Sequence, residues 1–219
     1  MANPAELLHE KLTRWRANAS HHADPAEQRI AVRHLDAIEE LLDQMDDAKI
    51  KTTLYRQYFD KWVALTLHNP QGWQNQKNLK HIDDSALENL EHLADRLDNG
   101  LVLKLQDGGL DALRAYSSDV RALLDEDESI PPLLRQHVKQ VIAHLDWCID
   151  NYAAVGEFHL QDAVERLIAA MIRATAASKR KDRWRDKLNT VAWPFVGNVA
   201  AQIAAAVPTQ LAIQAMLGG

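Results

Sequence analysis

"DPAEQRIAVRHLDAIEELLDQM", residues 24–45, decides the fold class. Its first four residues spell a helix start. Asp24 can accept an orphan backbone N–H, Pro25 loses nothing at the first helical position, and Glu27 favours the positive helix end. Behind them Ile30, Leu35, Ile38, Leu41, Leu42 and Met45 fall near one face at helical spacing, with charged residues between them. The same grammar recurs along the chain. Asn3-Pro4-Ala5-Glu6 repeats the start signal, Ser85 with Glu88 reads as a capping box, and Pro131-Pro132 opens another helix. Leu134, Val138, Val141, Ile142, Leu145, Ile149 and Tyr152 form a second apolar stripe.

These marks predict helices near 4–19, 25–45, 48–67, 85–98, 110–126, 131–154 and 158–187, with one or two more pieces in the tail. "LVLKLQ" (101–106) alone alternates like a strand. A lone strand has no partner, so it reads as a loop or helical turn. "NPQGWQNQKN" (69–78) is an irregular connection. Similar segments at 33–43, 91–101 and 143–152 stand at unequal intervals with unlike flanks, which argues against a true repeat. The expected fold is all-α, an irregular bundle of seven to eight helices over 1–177. A basic hinge and an uncharged, alanine-rich helical tail follow over 178–219.

Bulk composition agrees. With 47% apolar and 26% charged residues the 219-residue chain can bury a core and is too apolar for global disorder. A net charge of -6 disfavours nucleic acid as a partner, and "SKRKDRWR" (178–185) brings no recognition motif that would offset it. The single Cys148 excludes an internal disulfide and a cysteine-rich zinc module. "MANPAELLHEKLTRW" lacks a basic stretch followed by an apolar one, so the expectation is a cytoplasmic protein that meets a membrane, if at all, at its inner face.

The tail carries the functional lead. Residues 189–219, "NTVAWPFVGNVAAQIAAAVPTQLAIQAMLGG", contain no Asp, Glu, Lys, Arg or His. Just before them stand Lys179, Arg180, Lys181, Arg183, Arg185 and Lys187, with Trp184 among them and Trp193 after them. Cations beside an anionic surface, indoles at headgroup level and an uncharged stretch make the pattern of a membrane-engaging terminus. As one helix, 191–217 would measure roughly 40 Å, enough to cross a bilayer core, but Pro194 and Pro208 interrupt it. Asn198, Gln202, Gln210 and Gln214 stand four or eight apart, giving an uncharged polar stripe that suits several copies packed closely or lining a narrow wet path. The expected role is a non-enzymatic assembly or effector protein. It oligomerises with itself and anchors to or perturbs anionic membrane lipid, as a peripheral or tail-anchored protein. The alternative is a soluble helical adaptor or scaffold whose last helix completes its own core or a homodimer face.

Catalytic candidates are thin, and no cofactor is expected. His137, His144 and Cys148 share one side of a helix and are the strongest metal candidates, yet they sit at the core boundary where unremarkable His and Cys occur. His144 and Cys148 as base and nucleophile lack an orienting third group. Glu6 and His9 supply one Glu-x-x-His where di-iron bundles need two. "HEKLT" (9–13) lacks the second histidine of a zinc protease helix. His21, His22 and Asp24 cluster in a connection. "DEDE" (125–128) lacks the alternating spacing of a calcium loop and reads as an exposed helix end that opposes the dipole. No glycine-rich phosphate loop is present, and "DNGLVLKLQDGG" reads as turns. The closing Gly218-Gly219 has no β-grasp domain to serve as a conjugation tail. Tyr55, Tyr58, Phe59 and Trp62 read as core, while Trp73 in its polar loop is a candidate protein-binding anchor.

Overall fold

The computed structural model describes residues 3–17, 24–68, 84–98, 104–190 and 195–196. The protein is all-α. The helices among the described residues are α1 (Pro4–Ala17), α2 (Pro25–Asp47), α3 (Thr53–His68), α4 (Asp84–Asp98), α5 (Gly109–Glu126), α6 (Pro132–Asp150), α7 (Tyr152–Ala177) and α8 (Lys181–Asn189). They form two compact units: Met1–Val102 with Ala153–Phe158, and Leu103–Tyr152 with His159–Gly219.

In the first unit α1 packs on α2 and α4, and α3 packs on the same two helices, closing a ring of four. The predicted stripe of α2 faces inward. Leu35, Ile38, Leu41, Leu42 and Met45 join Leu8, Leu12, Trp62, Leu90, Leu93 and Leu97 in one core cluster. Tyr55 belongs to it and Tyr58 and Phe59 pack against it, as their spacing implies, and Phe158 packs there too. His34 is fully buried, with Nε2 3.0 Å from the Ala154 carbonyl. A carbonyl only accepts, so Nε2 carries the proton.

The start signals act as read. Asn3 Oδ1 accepts from the Ala5 and Glu6 N–H groups at 3.0 Å, and Asp24 Oδ1 accepts from Ala26 N–H at 2.9 Å. Asn3 is 1% exposed, and its amide also donates to Ala94 O and Asp98 Oδ1 at 2.9 Å, which ties α1 to α4. Asn3→Ala removes the cap and leaves a buried carbonyl short of a donor. The expected loss is about 2 kcal/mol, read as a lower urea midpoint. Ser85 is not a cap. It lies one residue inside α4, and its hydroxyl takes a hydrogen bond from Tyr58 OH at 3.2 Å.

Three boundaries differ from the periodicity. First, α2 runs past Met45 and α3 starts only at Thr53. Lys49 adopts φ 62°, and the N–H groups of Lys49 and Ile50 return to Asp46 O and Met45 O. That is a Schellman stop with lysine where glycine is usual, so no glycine marks it. Second, the break expected at 155–157 moves to Asn151, between α6 and α7, and inside α7 Gly156 alone is non-helical, at φ 74° and ψ −175°. That region is essentially reserved for glycine. Third, the helix expected over 158–187 breaks at Ser178, whose backbone is extended at φ −76°, ψ 146°. Its hydroxyl accepts from Arg180 N–H at 2.7 Å, a local bond that competes with helix continuation.

The second unit packs α5 on α6 and α8 on α5. Leu113, Tyr116, Leu145, Val164, Leu167 and Ile168 meet around a small gap of about 60 Å³. Gly108, at φ 74°, makes the turn into α5. Here the reading of 101–106 is corrected. Lys104–Leu105 pairs antiparallel with Phe195–Val196, Lys104 opposite Val196 and Leu105 opposite Phe195. The partner lies ninety residues on, in a stretch expected to be helical, and Pro194 just before it disfavours helix at its predecessor. Within the basic segment that opens the expected 178–219 region lies the helix α8, Lys181–Asn189.

Candidate functional site

The basic segment ahead of the uncharged tail is the site the sequence points to. Helix α8, KDRWRDKLN, has only two buried side chains, Trp184 and Leu188. They are four residues apart and so share a face. Arg183 and Lys187, also four apart, lie beside them. Arg183 pairs with Glu126 at 2.6 Å and Lys187 with Asp119 at 2.8 Å. Tyr116 OH donates to the Lys187 carbonyl at 3.1 Å. Burial pushes the Tyr116 hydroxyl above its ordinary range, so it stays a donor. The groove between α5 and α8, about 400 Å³, is lined by Asp119, Glu126, Arg183, Asp186 and Lys187. Across it Arg183 is matched to Glu126 and Lys187 to Asp119.

Asp127 is the centre of the arrangement. It terminates α5 and has no exposed surface. One carboxylate oxygen accepts from the Ser129 N–H at 3.0 Å and from the Ser129 hydroxyl. The other accepts from the Ser178 hydroxyl and from Trp184 Nε1 at 2.8 Å. Burial pushes the carboxyl up, but the donors from Ser129, Ser178 and Trp184 together outweigh it and hold the acid well below the usual carboxylate range. Arg135 donates to the Leu124 and Asp127 carbonyls, closing the end of α5. Asp125 pairs with Lys139 at 2.9 Å. Within "DEDE" Asp125, Glu126 and Asp127 are thus each answered by a different partner, which offsets much of the dipole conflict expected there.

The membrane-facing residues expected from sequence divide. Lys179, Arg180 and Lys181 are exposed, and among the described residues their side chains make no ion pair. Arg183 is exposed but paired. Arg185 is half-buried and lies 3.7 Å from Asp182. The Trp184 indole is 0% exposed and bonded to Asp127. No local signal could have shown this, because its partner is 57 residues away. Trp193, Asn198, Gln202, Gln210, Gln214 and Trp73 lie outside the described residues, as do His21 and His22.

The metal candidates come only partly together. His144 Nε2 lies 3.9 Å from Cys148 Sγ, and the His144 ring stacks on Trp147 at 6.2 Å, while His137 is exposed. Cys148 is 0% exposed, which closes the thiol to a substrate. Among the described residues no group of three or more His, Cys, Asp or Glu side chains is placed to hold a metal ion. Glu6 is raised by burial and by the nearby Asp98 and Glu10 charges, and no second Glu-x-x-His joins it and His9 among the described helices. No described helix is long and apolar enough to cross a membrane. No family model, no curated protein and no solved structure matches this chain.

Proposed function

We propose that the chain is a non-enzymatic helical assembly protein that oligomerises and attaches to anionic membrane surfaces through its C-terminal segment. The observation that carries this reading is the placement of Lys179, Arg180 and Lys181. They are exposed and outside the ion pairs of α8, and they lie just ahead of residues 189–219, which hold no ionisable side chain. Each cation near an anionic leaflet contributes about 1 kcal/mol, so the three supply about 3 kcal/mol, on the order of a hundredfold in affinity. The uncharged stretch supplies apolar area, and its small residues and amides suit contact between copies. The partners are further copies of this chain and anionic lipid, and a second protein would meet it at Trp73.

A second reading has its own observation. The Phe195–Val196 pairing with Lys104–Leu105 returns the first part of the tail to its own unit. That favours an adaptor whose tail completes a core or a homodimer face, although a pair of two residues is a weak tie.

Co-sedimentation with phosphatidylserine/phosphatidylcholine vesicles separates the two. The full chain is expected to sediment with anionic vesicles and to cross-link as oligomers. A chain ending at Gly197, which keeps the strand pair, is expected to lose at least tenfold in partitioning. Lys179→Gln/Arg180→Gln/Lys181→Gln is expected to lose on the order of a hundredfold. Equal partitioning of full and shortened chains overturns the membrane reading. A shortened chain that no longer folds establishes the adaptor.

A further inference from the structure

We propose that α5 masks a second lipid-binding face on α8, so that the helix is docked in one state and released onto an anionic surface in another. This rests on the membrane reading above and specifies its regulation. The masked face has the make-up of an interfacial helix: Trp184 and Leu188 as its apolar stripe, with Arg183 and Lys187 along the flank. In the structure every one of those groups is occupied. Trp184 is 0% and Leu188 3% exposed, Arg183 meets Glu126 at 2.6 Å, and Lys187 meets Asp119 at 2.8 Å. Asp119 and Glu126 stand seven residues apart, two turns along α5, and so share one face of it. α5 thus presents carboxylates to the same cations that headgroup phosphates would take, and Asp127 takes the indole N–H that interfacial water or a headgroup oxygen would take.

The docking is built to be reversible. A nine-residue helix is too short to persist without packing, and the Ser178 break detaches α8 from α7. Two of its ties are ion pairs with exposed members. Arg183 and Glu126 are 53% and 54% exposed, and Asp119 is 61% exposed. Pairs of that kind are weak and screened by salt. The stronger ties are the two buried side chains with the Trp184–Asp127 and Tyr116–Lys187 hydrogen bonds, so release needs a surface that replaces those contacts. Release would expose Trp184 and free two cations beside Lys179, Arg180 and Lys181. An anionic leaflet answers all of these at once, whereas a neutral surface answers only the indole.

The test uses the full chain with Asp119→Asn/Glu126→Gln. Asp36→Asn/Glu39→Gln, at exposed positions on α2, is the control with the same change of net charge. Two quantities are measured: amide exchange over 181–189 without lipid, and binding to phosphatidylserine/phosphatidylcholine vesicles. The double variant is expected to exchange faster over 181–189 and to bind vesicles about tenfold tighter, and the control to change neither. Glu126→Gln alone carries the same expectation at smaller amplitude if the double variant does not fold. Unchanged exchange overturns the mask, as does unchanged vesicle binding or an equal rise in the control. In those cases the membrane reading survives as long as the full chain itself binds. If neither the full chain nor the variants bind vesicles, the membrane reading falls and the mask falls with it.

Discussion

Replacing Asp127 with alanine is expected to destabilise the unit containing α5, α6 and α8 by about 3–5 kcal/mol, seen as a lower urea midpoint at neutral pH. The size follows from what is left behind. The carboxylate serves Ser129 twice, Ser178 once and Trp184 once, and its site is sealed from water. Truncation strands a buried indole N–H and a buried hydroxyl, each with its own desolvation penalty, and opens a small void. The same group sets an acid limb. Its folded acidity lies below the ordinary carboxylate range, so the unfolded state binds the proton more readily. The stabilisation is therefore fully present above the unfolded value, about pH 4. It is lost as pH falls through that value toward the folded one. Wild type should weaken progressively between about pH 5 and pH 2, and Asp127→Ala should show a flatter limb over that range. An unchanged limb would mean that the carboxylate is not the anchor of α8.

Trp62→Ala is expected to cost the ring of α1–α4 about 4–5 kcal/mol, enough to leave that unit largely unfolded at ambient temperature if its stability is ordinary. Trp62 is among the largest fully buried side chains. Its Nε1 donates to the Ala86 carbonyl at 2.7 Å, joining α3 to α4, and Phe59 meets its edge at 6.3 Å with the rings at 79°. Trp62→Phe keeps most of the volume but leaves the Ala86 carbonyl without its donor, so about 2 kcal/mol is expected. Near-UV circular dichroism and urea titration check both, and a loss below 1 kcal/mol for the alanine variant would contradict the packing described.

Periodicity and caps were enough to place every described helix of the first unit, because those signals lie within one turn of where they act. Asn3, Asp24 and the stripe Leu35–Met45 needed no knowledge of distant residues. Boundaries went astray where a residue departed from its usual partner, as at Lys49 in a left-handed conformation and at Ser178 breaking a strongly helical stretch. The candidate site was legible only as composition. A run of Lys and Arg around a tryptophan says that charge and indole are near each other, and it does not say which faces inward. Asp127 could not be told from its neighbours in "DEDE", since its four donors come from Ser129, Ser178 and Trp184. The strand at 104–105 was dismissed for want of a partner that only the folded chain supplies.

The membership of Ala153–Phe158 in the first unit bears on how this chain is made. At a translation rate of 5–20 residues per second, residues 103–152 take on the order of 3–10 s to be synthesised. Throughout that interval the chain of the four-helix ring lacks the Ala154 carbonyl that His34 meets and the Phe158 that packs against its core. The nascent protein therefore passes through a stage in which its earlier half is nearly assembled and still open at one place. Closure waits for a short return segment whose direction is set by the unusual backbone of Gly156.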